Sequence, residues 1–170
     1  ENREMDSQRH EANDNAAYLR EQVKTLIKTI ENTDYNKART AAMALMVLPR
    51  RYTAPPLLKL LRDSNPLVKQ NAVWALGFCG DDSMAATIKS LLKDRNTEVR
   101  RETVLALKRL NASQSAPALM EALKTETEQG VKYDIARTLG TFGDRGAVFV
   151  LMNVLTKEKS WYVKSGCVEA

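Results

Sequence analysis

Apolar residues recur in this chain with a short period nested inside a long one. Val99, Thr103, Val104, Leu107 and Leu110 stand at i, i+4, i+5, i+8 and i+11, which is one stripe of a helix of about 3.6 residues per turn and not the alternation of a strand. The stripe returns every 31 or 32 residues. Val68, Val99, Val131 and Val163 align in one column, with Lys37 the odd first member. The next columns are Ala41, Ala72, Thr103, Ile135 and Cys167, then Ala42, Val73, Val104, Ala136 and Val168. Leu45, Leu76, Leu107 and Leu139 follow, then Leu48, Cys79, Leu110 and Phe142. Upstream, Ile30, Leu61, Leu92, Leu123 and Leu155 keep the same spacing. A fixed period of this length is the mark of a repeat architecture.

Each unit also holds an earlier apolar run, as in APPLLKLLRD, AATIKSLLKD, SAPALMEALKT and GAVFVLMNVLTK. Pro55 and Pro117 share a column near its start, where a first-turn proline forfeits no helical hydrogen bond. Gly80-Asp81 and Gly143-Asp144 predict a left-handed stop followed by a capping carboxylate. The unit is therefore helix, turn, helix. A pair this short buries its stripe only against its neighbours, so the predicted fold is all-α: a curved, right-handed α-solenoid of about five units. Their bounds are about 19–48, 54–79, 84–110, 115–142 and 146–170, with the last one incomplete. Ending at Ala170, before its own column leucine, that unit is expected to leave Leu139 and Phe142 partly bare, as in a fragment. Residues 1–18 read as a polar, acidic arm or an extension of the first helix.

Asp63, Val68, Lys69, Ala72, Leu76 and Gly77 in LLRDSNPLVKQNAVWALG, and Asp94, Val99, Arg100 and Leu107 one unit later, carry a family resemblance. The chain resembles HEAT repeat proteins, particularly the short prokaryotic type found in phycobilin lyase subunits, over about residues 19–170. The resemblance implies the solenoid and leaves function open, since such proteins include scaffolds, enzyme subunits and nucleic-acid binders. It also implies that second helices line the concave face, and that a column of charges forms a ladder, each basic side chain bridging its own or the neighbouring turn. Asp63 and Lys69, Asp94 and Arg100, Glu126 and Lys132, and Glu158 and Lys164 each lie six apart, with Asp34 and Arg39 approximating the pattern. A cation in a helix's first turn opposes the helix dipole, and the carboxylate six residues upstream is the expected compensation.

Charge narrows the function little. The 26 basic and 21 acidic residues leave +5, but residues 1–18 hold two arginines against five carboxylates, so the repeats carry +8. This suits an acidic protein or a nucleic acid, and many proteins that bind neither. Cys79 and Cys167 fall in apolar columns far apart, so packing is expected for both rather than a disulfide or zinc site. That usage weakly favours the cytoplasm, and no apolar run reaches the roughly 20 residues of a membrane span. His10 is the only histidine. His10-Glu11 superficially resembles the iron-binding pairs of HEAT-like hydroxylases, which need several, so neither a metal nor another cofactor is expected. LGTFGDRG joins two helices with no preceding strand and is not a phosphate loop. No catalytic residue stands out, and the chain is not expected to be an enzyme.

The exposed face of the second helices is more informative. At about 100° per residue, Trp74 points away from the core stripe. Its column and the one four residues on place Met43, Val47, Trp74, Phe78 and Leu105 in one apolar patch bordered by Arg101 and Tyr133. Exposed apolar patches with tryptophan, tyrosine and arginine mark interfaces. The simpler alternative is that the N-terminal arm or a flanking repeat covers it. The leading expectation is a non-enzymatic scaffold gripping a protein or peptide partner, with acidic flanks, on the concave face. The alternative is nucleic-acid backbone binding by Arg39, Lys69, Arg100, Arg101, Lys132 and Lys164. A chromophore-lyase subunit follows from the resemblance alone.

Overall fold

A computed structural model describes residues 2–31 and 34–170; side-chain detail begins at residue 13, so His10's side chain lies outside it. Ten α-helices follow one another among these residues, with no strand: α1 (Asn2–Ile30), α2 (Tyr35–Met46), α3 (Arg50–Leu60), α4 (Pro66–Cys79), α5 (Ala85–Ile88), α6 (Thr97–Arg109), α7 (Ala116–Thr125), α8 (Gln129–Phe142), α9 (Arg145–Lys157) and α10 (Trp161–Val168). The second helices α2, α4, α6, α8 and α10 pack each on the next, whereas the first helices touch one another sparingly. The closely packed layer is the inside of the bend, and the whole is an α-solenoid.

The repeating columns are its core. Val68, Val99, Val131 and Val163 are buried, as are Leu45, Leu76, Leu107 and Leu139. Gly77 explains one feature of the pattern: a Cβ there would lie 3.0 Å from the backbone and side chain of Ala106, so α4 and α6 touch where the glycine sits. Side-chain oxygens start the second helices. Asp34, Asn65 and Asn96 accept from backbone N–H groups of Lys37, Leu67 and Val99 at 3.0–3.1 Å.

Several local expectations are corrected. α3 starts at Arg50, so Pro55 and Pro56 lie inside it; two helical hydrogen bonds are forgone while Ala54, Leu57 and Leu60 still reach the core. Gly143 is left-handed with φ 65°, but Gly80 has φ −81° and extended ψ, so only one of the two stops has the expected form. AATIKSLLKD forms just one α-turn between 3₁₀ turns at Asp82–Met84 and Lys89–Lys93. Leu139 is not bare, because α10 packs over α8 and encloses it; Phe142 is partly buried. Val168 instead is the exposed member of its column, at 75%. The segment before residue 19 is continuous with the first unit's opening helix as α1.

Candidate functional site: the concave face and its two charge ladders

One ladder runs along the loops that lead into the second helices. Lys69 meets Asp94, Arg100 meets Glu126 and Lys132 meets Glu158, each base reaching a carboxylate 25 or 26 residues downstream. Of the two turns the ladder could bridge, each base thus takes the neighbouring one, not the carboxylate six residues upstream. Each carboxylate turns back on its own loop, accepting from backbone N–H groups, as Asp94 does from Asn96 at 2.9 Å and Glu158 from Lys159 and Ser160. The base then reaches it from the preceding unit. Arg100 is the best-held rung: Nε and Nη2 donate to the two oxygens of Glu126 at 2.8 and 2.9 Å, and Nη1 donates to the carbonyls of Asp94 and Arg95 at 3.0 and 3.2 Å. The hydrogen bond from Lys132 and the loop N–H groups pull the Glu158 carboxyl down to about 2. At the ladder's ends, Asp63 accepts only from the Asn65 backbone, and Lys164 has no carboxylate partner among the described residues.

A second set of charges lies across the concave layer itself, where sequence reasoning placed free apolar anchors. Met43, Val47 and Phe78 are exposed, at 57%, 85% and 47%, and Leu105 is partly buried. Trp74 is partly buried because the Arg39 guanidinium lies 4.0 Å over its ring. Trp74 and Phe78 touch at 4.8 Å between centroids, and Arg109 covers Phe78 at 4.5 Å. Arg109 donates to Glu102 at 2.7 Å, and Arg39 stands 3.8 Å from the same carboxylate. These five residues close a ring across α2, α4 and α6. Towards the C-terminus, Arg101 donates to Asp134 at 2.8 Å. Tyr133 stacks on Tyr162 at 4.5 Å, and Arg137 meets the Tyr133 hydroxyl at 3.1 Å and Glu169 at 2.9 Å. Arg101, expected at the border of the patch, is therefore tied to α8.

Glu102, buried and shared by two arginines, was missed. Its column, Thr40, Asn71, Glu102, Asp134 and Gly166, is polar in the middle of an apolar stripe, and that was the available signal. Cys79 and Cys167 are free thiols pushed up by burial. Among the described residues no His, Cys, Asp and Glu gather as a metal site, and no helix is long and apolar enough to cross a membrane. A surface groove of about 750 Å³ lies off this face between α7 and α9, lined by Leu123, Phe149 and Val154 with Lys157 and Lys159.

A family profile described as HEAT repeats matches residues 23–94 and 84–170. The chain belongs to the HEAT repeat family. Protein YibA of Escherichia coli is 31% identical over 124 residues, 72% of this chain and 43% of YibA. An uncharacterized protein in the gldA 3′ region of Geobacillus stearothermophilus is 37% identical over 76 residues, 44% of this chain and 35% of that one. This HEAT chain therefore spans less than half the length of the curated relatives it matches. Among solved structures, the complex of CpcE and CpcF of phycocyanin lyase from Nostoc sp. PCC7120 superposes with a TM-score of 0.77 at 17% identity, over 86% of this chain and 95% of that one. The X-ray structure of YibA gives 0.59 at 25% identity, over 92% and 56%. A designed armadillo repeat protein in complex with the peptide (KR)4 gives 0.52 at 20% identity, over 86% and 79%. The low-identity likenesses show the fold alone.

Proposed function

We propose that this HEAT solenoid is a non-catalytic binding module that holds a segment of a partner protein on its concave face. The observation that carries this reading is the row of exposed apolar side chains, Met43, Val47 and Phe78, set beside arginines held in place by rings and counter-charges. Rigid aromatic and arginine groups lose little entropy on binding and often dominate interface energies. YibA and the armadillo neighbour supply no partner for this chain. The chromophore-lyase reading rests on likeness of fold and has no residue of this face behind it.

Nucleic-acid binding is the weaker reading, because four of its six cations are already held by carboxylates. Lys69, Arg100, Arg101 and Lys132 all hold carboxylates and Arg39 lies on Trp74, whereas Lys164 has no carboxylate partner among the described residues. A test compares the unaltered chain with Met43→Glu/Val47→Glu, whose side chains contribute little to the core. Retained helical signal with loss of captured partner is the expected result. Capture that survives the double substitution sinks the groove reading. Duplex binding that weakens steeply with salt would favour the alternative.

A further inference from the structure

Arg39 differs from every other arginine on the concave face. Arg101, Arg109 and Arg137 each donate a hydrogen bond, to Asp134, Glu102 and the Tyr133 hydroxyl. Arg39 makes none among the described residues: it stacks on Trp74 at 4.0 Å and on Tyr35 at 5.4 Å, and reaches Glu102 only at 3.8 Å, beyond hydrogen-bond length. Its Nη1 is enclosed without an acceptor. One turn before Trp74 on α4, the helix that Arg39 crosses to reach Glu102, Asn71 is wholly buried with both amide atoms unpaired. Buried polar groups are almost always satisfied, and the enclosed Nη1 leaves the Arg39 guanidinium less completely satisfied than those of Arg101, Arg109 and Arg137. The charge is unfinished too, since two guanidiniums share a single carboxylate. The guanidinium is fixed by its rings, and its Nε and Nη2 donate no hydrogen bond among the described residues.

We infer that Arg39 is the recognition residue of the groove, and that it takes the side-chain carboxylate of an Asp or Glu in an extended segment of the partner protein. This rests on the reading of the concave face as the binding surface. Arg39, Met43 and Val47 stand at i, i+4 and i+8 along α2 and its C-cap, about 6 Å apart per step. Two residues of extended chain cover roughly the same distance. The partner segment therefore carries an acid followed, or in the opposite chain direction preceded, by apolar residues two and four positions away.

The test selects 12-residue displayed peptides from a random library against the full chain, then measures binding of the enriched peptides by fluorescence anisotropy. Acid-x-apolar-x-apolar sequences, or their reverse, are the expected enrichment. Replacing the acid by its amide weakens binding tenfold or more on the unaltered chain and less than twofold on Arg39→Gln. Arg137→Gln, which alters an arginine already paired, keeps the discrimination, and Arg39→Lys, retaining charge without the planar fork, falls between. Circular dichroism verifies that each variant folds. Equal discrimination by Arg39→Gln, or enriched peptides without an acid, overturns the inference; if those peptides still lose binding to Met43→Glu/Val47→Glu, the groove reading survives. Peptides indifferent to that double variant, or no enrichment at all, overturn both. Displacement of the peptide by equimolar duplex DNA assigns Arg39 to phosphate and also overturns it.

Discussion

Removing the Arg100 side chain separates the observed ladder from the one that spacing suggested. Its side chain is 15% exposed and that of Glu126 5%, and the two are joined by hydrogen bonds of 2.8 and 2.9 Å. Breaking a fully buried pair from one side costs about 3–5 kcal/mol, and an exposed pair about 0–1 kcal/mol. This rung lies between: its low exposure puts it nearer the buried limit, and the bonds Glu126 would keep from the Thr127 and Glu128 backbone at 2.9 and 3.0 Å hold the cost below that limit. Arg100→Ala is therefore expected to cost about 2–3 kcal/mol, a fall of roughly 4–12 °C in Tm for a chain of this size. Lys124→Ala, which breaks an exposed pair with Glu121, should leave the unfolding midpoint essentially unchanged. The decisive assay is a pair of double-mutant cycles read by urea unfolding. Arg100 with Glu126→Gln should couple by about 1–2 kcal/mol, and Arg100 with Asp94→Asn by much less, because that carboxylate belongs to Lys69. Larger coupling to Asp94 than to Glu126, or coupling to neither, would refute the inter-unit ladder.

Two further outcomes follow from the same packing. Gly77→Val should destabilise by about 1–3 kcal/mol, since even a Cβ is 3.0 Å from Ala106 and the branch forces α4 and α6 apart; an unchanged unfolding midpoint would contradict that contact. The ladder carboxylates also set an acid limit. Burial raises Asp94 and Glu126, but the hydrogen bonds from Lys69 and Arg100 and from loop N–H groups outweigh it, so both lie below their ordinary values, as does Glu158 at about 2. A depressed folded pKa gives stability that is full above the unfolded value, near 4 to 4.5, and is lost as pH falls through the folded one. Unfolding monitored from pH 6 to 2 should show the loss concentrated below about pH 4.5, and Glu158→Gln should flatten that slope. A slope unchanged by the substitution would remove Glu158 from the ladder.

The repeat, the helix pairs and the buried columns were legible in the chain because they depend on local periodicity: a stripe at helical spacing, returning at a fixed interval, has one way to be buried. Leu45, Leu76, Leu107 and Leu139 could be assigned to the core without coordinates. So could the membership of Lys69, Arg100 and Lys132 in one charged column and the placing of Met43, Val47 and Phe78 on the outer face of the second helices. The partners of those charges were not legible. Six residues of separation looked like a bond because it was short along the chain, but the loop carboxylate folds back on its own N–H groups and meets the base of the preceding unit, 25 or 26 residues earlier. Sequence distance does not measure distance across a stack whose layers bring residues one period apart into contact. Nor does a helical wheel show that Arg39 crosses α4 to lie on Trp74, or that Arg109 covers Phe78. Long side chains choose among several neighbours, and the choice depends on helix spacing and curvature, which packing of the whole solenoid decides. The sequence alone therefore determined the unit and the face it presents; only the tertiary structure decided which charges are spent in holding the units together and which arginine rests on rings instead of a hydrogen-bonded carboxylate.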